Sequence, residues 1–215
     1  AILEMKDVDK MMLSLKSTKA LIIDLRNYPN FIPFLIARRL IHTEKSFVKF
    51  IEPDLSYYGK FKWRDGMIIN PIKNEYYKGD VILLVNEETQ SAAEFSAMLL
   101  QIGDNVITVG SQTAGADGNI SKIEFLGFKS FISGIGVYYP DNSETQRKGV
   151  KIDIEVNQTI KGIQEGKDEI LQKAFELIMD RSNQVLGYIE TIENVFGEQL
   201  EVVSQEKMIY HVSAV

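Results

Sequence analysis

Residues 81–100 constrain this chain more than any other stretch. They open with five consecutive apolar residues, Val81-Ile-Leu-Leu-Val85, short enough for a strand buried on both faces of a parallel sheet. A polar turn at 86–90 follows. Ser91-Ala-Ala-Glu94 then starts a helix with apolar positions at Phe95, Met98 and Leu99. Ser91, at the first turn of that helix, has two readings. As a helix cap it satisfies backbone N–H groups, and Glu94 three residues on completes a capping box. As a nucleophile it sits where orphan N–H groups and the helix dipole favour the negative charge that its attack creates. Taken alone, the cap is the commoner role, so the rest of the chain has to decide.

The flanking sequence repeats the alternation of helix and buried strand that defines an α/β domain. Residues 7–15 place Val8, Met11, Met12 and Leu15 on one helical stripe, and 19–25 are a second buried-strand run. A turn-prone segment at 26–30 contains Pro29. The apolar segment 31–41 then closes on Arg38 and Arg39, cations suited to a helix C-terminus. Residues 46–51 alternate as a strand does. Residues 53–71 read as a β-hairpin or a long loop on the substrate side, or equally as a loop merely pinned by the packing of Tyr57, Tyr58, Phe61 and Trp63. A third buried strand is expected at 105–110 and a glycine-bearing loop at 111–118. Short strands follow at 120–125, 129–132, 135–139 and 150–156, and an amphipathic helix at 167–179. Residues 181–215 read as a helix at 185–196 with strands near 200–203 and 208–212, and carry no visible chemistry.

Composition excludes several classes. The net charge of −6 over 215 residues is dispersed, so nothing points to nucleic acid or an anionic membrane surface. The absence of cysteine removes a thiol nucleophile and cysteine-ligated zinc. Two histidines, His42 and His211, argue against a multi-histidine metal site, and no cofactor is indicated. No run of about 18 apolar residues is present. The chain starts at Ala1, immediately before an amphipathic helix, and is read as an excised piece of a longer protein.

Four segments in order resemble the C-terminal-processing, or tail-specific, serine peptidases, the family that includes the core of tricorn protease. They are Ile22-Ile-Asp-Leu-Arg-Asn-Tyr-Pro29, Val85-Asn-Glu-Glu-Thr-Gln-Ser-Ala-Ala-Glu94, Val109-Gly-Ser-Gln-Thr-Ala-Gly115, and Gly134-Ile-Gly-Val-Tyr-Tyr-Pro-Asp141 with Gly149, Val150 and Asp153. The resemblance covers roughly residues 18–180. It implies an α/β fold with a ClpP/crotonase-like core of stacked short sheets and flanking helices. It further implies a peptidase domain at 1–180, truncated at its N-terminus, with 181–215 an appendage or final layer. Peptide-bond hydrolysis would run through an acyl-enzyme on Ser91. The N–H of Ala92 and one from the Asn30 region would form the oxyanion hole. Family members usually carry paired glycines at that second place, where this chain has Pro29-Asn30-Phe31. Substrates of the family bind as an added strand, which the backbone at 134–139 or the Thr113 loop is expected to accept. By resemblance alone, the expected location is the bacterial periplasm or cell envelope.

One position departs from the family pattern. The lysine that activates the serine is replaced by Ala116, and its supporting glutamine falls at Ile120. A serine without a base attacks slowly near neutral pH. The favoured repair is a histidine from a segment N-terminal to Ala1, as in the tricorn-like branch. Asp117 is a second candidate, as base or as the group that orients such a histidine, although Asp-Gly is also a common turn former. His42 is a third, against its plainer role as a cation at a helix end; His211 lies in the C-terminal segment. Glu94 reads mainly as a capping residue, and Gln146 lies near the place of a tricorn-like glutamate. The expectation is a serine endopeptidase acting on peptide or protein. Its alternative is an inactive peptide- or ligand-binding module on the same fold, as in the retinoid-binding repeats. Acyl-CoA chemistry fits by architecture only and lacks a CoA signature.

Overall fold

The two buried apolar runs lie side by side, in register, at the centre of a parallel sheet. The computed structural model describes residues 5–29, 32–186 and 209–213. In chain order they form α1 (Val8–Leu15), β1 (Ala20–Asp24), α2 (Ile32–Ala37), β2 (Lys45–Pro53), β3 (Phe61–Ile69), β4 (Asp80–Val85) and α3 (Ala92–Leu100). Then follow β5 (Val106–Gly110), β6 (Ile120–Phe125), β7 (Phe128–Ser133), β8 (Gly136–Tyr138), β9 (Ile154–Glu155), α4 (Ile160–Gln164), α5 (Glu169–Leu186) and β10 (Ile209–Ser213). The parallel sheet has the order β10-β1-β4-β5-β9, and a smaller antiparallel sheet the order β3-β2-β8; among the described residues β6 and β7 pair only with each other.

The unbroken apolar character of β1 and β4 follows from burial on both faces. Leu21, Ile23, Val81, Leu83 and Val85 face a core shared with α1, α2, α3 and the inner residues of β2. Ala20, Ile22, Ile82 and Leu84 face Ile170, Ala174 and Ile178 of α5. Each such side chain contributes roughly 1.5–3 kcal/mol by leaving water. Nine of these residues, on two strands, fix the sheet before any loop is considered. Phe47 and Phe50 of β2 meet Phe95 at ring-centroid distances of 5.0 and 6.3 Å, which brings the second sheet against α3. The expected mixed α/β architecture of short sheets and flanking helices is what the chain adopts.

Some expectations change. The 53–71 segment supplies the turn and second arm of a hairpin whose first arm is β2: β3 pairs antiparallel with β2 from Lys45↔Ile69 to Pro53↔Phe61. The strand expected at 150–156 shrinks to two residues, because its preceding backbone groups are spent elsewhere. The Val150 N–H donates to Thr113 Oγ1 and the Lys151 N–H to Tyr139 Oη, whereas the Asp153 N–H already reaches the Thr108 carbonyl of β5. The helix α4 was not expected, being five residues with Gly162 inside; Thr159 Oγ1 caps it by accepting the Gly162 N–H at 2.9 Å. In the C-terminal segment, β10 pairs parallel with β1. The expected strand near 200–203, and all but the start of the expected helix at 185–196, lie outside the described residues.

Candidate active site

In a parallel sheet all the strands end on the same side, and loops that follow adjacent strands converge there. Here the loops after β1, β4 and β5 carry three of the four motif segments to one edge. Their contacts are specific. Thr89, in the turn after β4, donates its hydroxyl to the Leu25 carbonyl at 3.0 Å and accepts the Asn86 N–H at 3.1 Å. Its carbonyl accepts the Ala114 N–H at 3.0 Å, tying in the loop after β5. Arg26 locks the loop after β1, reaching Asp24 Oδ2 at 2.6 Å and Asp168 Oδ1 at 2.8 Å. Asp168 also accepts the Leu171 N–H, so this loop is anchored to the start of α5.

Ser91 stands at the junction of that turn with α3, with φ 51° and ψ −117°. An N-cap residue ordinarily has an extended backbone. A serine at positive φ on a sharp strand-to-helix turn is a strained conformation of the sort found at nucleophiles, costing on the order of 1–3 kcal/mol. The capping box and the strained turn therefore coincide at one residue. Glu94 does close a box, accepting the Ser91 N–H at 3.2 Å. The backbone angles, however, are those of a displayed side chain.

Glu94 does far more than cap. It is fully buried, and its carboxylate also accepts Thr113 Oγ1 at 2.6 Å, the Gly115 N–H at 2.7 Å and the Ala116 N–H at 2.8 Å. Four donors converge on one charged side chain, fastening the loop after β5 to the first turn of α3. Thr113 in turn accepts the Val150 N–H. Gly149, at φ +82°, leaves no room for a side chain: a Cβ there would stand 2.6 Å from Thr113 Oγ1. Tyr139 donates to Gln101 Oε1 at 2.6 Å and accepts the Lys151 N–H at 2.9 Å. Asp153 Oδ2 accepts the Thr108 N–H at 2.7 Å. The fourth motif is thus a brace behind the site.

A cleft of about 700 Å³ opens at Ser91. Phe34, Phe50, Met67, Phe95 and Val137 give it apolar walls, and Tyr28 and Pro29 bring the loop after β1 to its rim. Ala92 lines it as well, and its N–H belongs to the first helical turn, where no intrahelical acceptor exists. Asn30, the other expected oxyanion contributor, lies outside the described residues.

Asp117 lines the same cleft, 7% exposed. Its Oδ1 accepts the Gly118 N–H at 2.6 Å, whereas Oδ2 is buried with no hydrogen-bond partner among the described residues. Burial pushes its pKa up to about 7, aided by the charge of Glu94 and opposed by the Gly118 N–H. Gln146 fixes this turn from behind, donating from Nε2 to the carbonyls of Asp117 and Ile135 at 2.8 and 2.9 Å. Ala116, at the expected lysine position, is exposed, and Ile120 opens β6. Among the described residues no lysine or histidine lines the cleft.

The structure does not bring His42 to Ser91. His42 sits at the opposite end of the sheet, where its Nδ1 hydrogen-bonds Asp104 at 2.7 Å and its ring lies 3.6 Å from that of Tyr76. His211 belongs to β10, paired with Ile22. The edges expected to receive a substrate strand are also largely taken. Val137 and Tyr138 are bonded by the segment at 143–145, and the Thr113 loop spends its N–H groups on Glu94 and Thr89. Among the described residues, the outer edge of β3 pairs with no further strand, and its Arg64, Asp65 and Met67 reach the cleft. This is the segment expected on the substrate side, although the exposed residues of β3 show no buried face that a sequence pattern could register.

The model of peptidase family S41 matches residues 3–156, and the chain belongs to that family. An uncharacterized protein of Chlamydia muridarum (strain MoPn / Nigg) is 29% identical over 120 residues, which is 54% of this chain and 20% of that protein. Among solved structures, a candidate peptidase from Parabacteroides merdae ATCC 43184 matches with a TM-score of 0.72 at 22% identity, over 82% of this chain and 57% of its own. Mature CPAF complexed with lactacystin matches with a TM-score of 0.68 at 17% identity, over 83% of this chain and 48% of its own. The chain spans about half the length of these solved structures and a fifth of the curated relative. The fold is that of an S41 peptidase.

Proposed function

We propose that this chain is the nucleophile-bearing part of a serine endopeptidase, and that Ser91 forms the acyl-enzyme. Ser91 Oγ adds to the scissile carbonyl carbon and passes its proton to a base. The oxyanion is held by the Ala92 N–H and a donor from the Asn30 region. Collapse expels the amine, which takes the proton from the base, and water then releases the acid by the reverse sequence. The base is a histidine contributed from outside residues 1–215, with its second N–H received by Asp117 Oδ2. The substrate adds as a strand to the open edge of β3.

The observation that carries this reading is the positive-φ conformation of Ser91 at the head of an apolar cleft. The unpartnered oxygen of Asp117 in the same cleft supports the placing of the base. The test is turnover of a quenched fluorescent peptide library by the full-length protein. Ser91→Ala is expected to lower kcat by about 10³-fold or more. Equal turnover by both proteins would overturn the assignment, and peptide binding without any cleavage by wild type would favour an inactive binding module.

A further inference from the structure

Among the described residues the hairpin of β6 and β7 pairs with no other strand, and all the residues of both strands are exposed. A free two-stranded hairpin is marginally stable in water, and this one is far from polar. Its register, Ser121↔Ile132, Ile123↔Ser130 and Phe125↔Phe128, puts these six residues on one face, because alternate residues of paired strands point the same way. Lys122, Glu124 and Lys129 share the other face with Phe131. The chain thus displays four large apolar side chains on one face, with Phe125 70% and Phe128 77% exposed at the tip.

The position of this face gives it a use. Ser121, its innermost residue, lines a groove of about 730 Å³ whose far wall is the hairpin of β2 and β3. Arg64, Asn119 and Ile135 line both this groove and the cleft at Ser91, so the two are continuous. The groove presents no field of one sign. Lys62 and Arg64 lie 3.7 and 3.8 Å from Glu52, and Lys60 lies 3.5 Å from Asp54. An occupant attracted by charge is therefore disfavoured, and an apolar one is not.

We propose that the hairpin of β6 and β7 is a substrate arm that grips apolar side chains of an extended polypeptide several residues away from the scissile bond. This rests on the peptidase reading of the Ser91 cleft and adds a second contact with the substrate beyond that cleft. Six residues of strand reach about 20 Å, so the arm acts on positions up to about six residues from the cut. Short peptides do not reach it.

The test separates binding from hydrolysis. In the full-length protein carrying Ser91→Ala, fluorescence anisotropy measures the affinity for a twelve-residue peptide of alternating Leu, Phe and Ser, and for a four-residue peptide. Phe125→Ser with Phe128→Ser is expected to weaken the long peptide about tenfold or more, and the short one not at all. Phe125→Leu with Phe128→Leu should restore most of the affinity, and Lys122→Ser with Lys129→Ser on the opposite face should leave it unchanged. Unchanged affinity in the Ser variants would overturn the arm. So would a halved molecular mass in solution, since a second copy of the chain would then be what covers the hairpin. Fluorophosphonate labelling of the same arm variants, with Ser91 intact, reports on the nucleophile separately.

Discussion

At Asp117 the folded chain holds a carboxyl group 7% exposed, with one oxygen unpartnered among the described residues and its pKa pushed from 3.8 to about 7. An acid whose pKa is raised by folding binds its proton more tightly in the folded state, so its contribution to stability falls as pH rises from about 4 to 7. Above that window the buried charge costs on the order of a few kcal/mol. Asp117→Asn is therefore expected to be more stable than wild type in urea at pH 8 and no more stable at pH 4. The same change should lower kcat by about 10²–10⁴-fold, because an imidazole would lose the acceptor that orients it. A variant both more stable and fully active would show that Asp117 is a turn former only. Glu94 lies at the other extreme, with four donors on a fully buried carboxylate. Glu94→Ala should cost about 3–5 kcal/mol in denaturant unfolding, since the donors are left without a partner.

Between elements, the site depends on loops fastened to one another rather than on long-range packing alone. Gly149→Ala places a methyl group 2.6 Å from Thr113 Oγ1 at a backbone φ of +82°. It is expected to destabilise the chain by more than about 1 kcal/mol and to loosen the loop that Thr113 joins to Glu94. Limited proteolysis between residues 111 and 118 would detect that loosening. Much of this level was legible in the sequence. The apolar runs of β1 and β4 and the small-residue start of α3 follow from burial and capping chemistry that local pattern records. The backbone angles of Ser91 were not legible, since no flanking glycine announces a positive φ and the strain is held by Glu94, Thr89 and their partners far along the chain. The brevity of β9 was hidden for a similar reason: the alternation of Ile152, Ile154 and Val156 is real, but the side chains of Thr113 and Tyr139 take the N–H groups of Val150 and Lys151. The hairpin arms were only half legible, because their apolar residues face solvent where a sequence pattern assumes a core.

Over the whole molecule, β1 is an inner strand only because β10 covers it. A chain ending at residue 186 should expose the edge of an apolar strand, Ala20–Asp24, and aggregate at concentrations where the full chain scatters no light. The parallel sheet, the braced loops and the apolar cleft all converge on one displayed side chain. The most direct measurement is the mass of the full-length protein after reaction with a fluorophosphonate, followed by peptide mapping. A single adduct on the peptide containing Ser91, absent from Ser91→Ala, is the predicted result. An adduct on a different serine, or one that survives Ser91→Ala, would contradict the account.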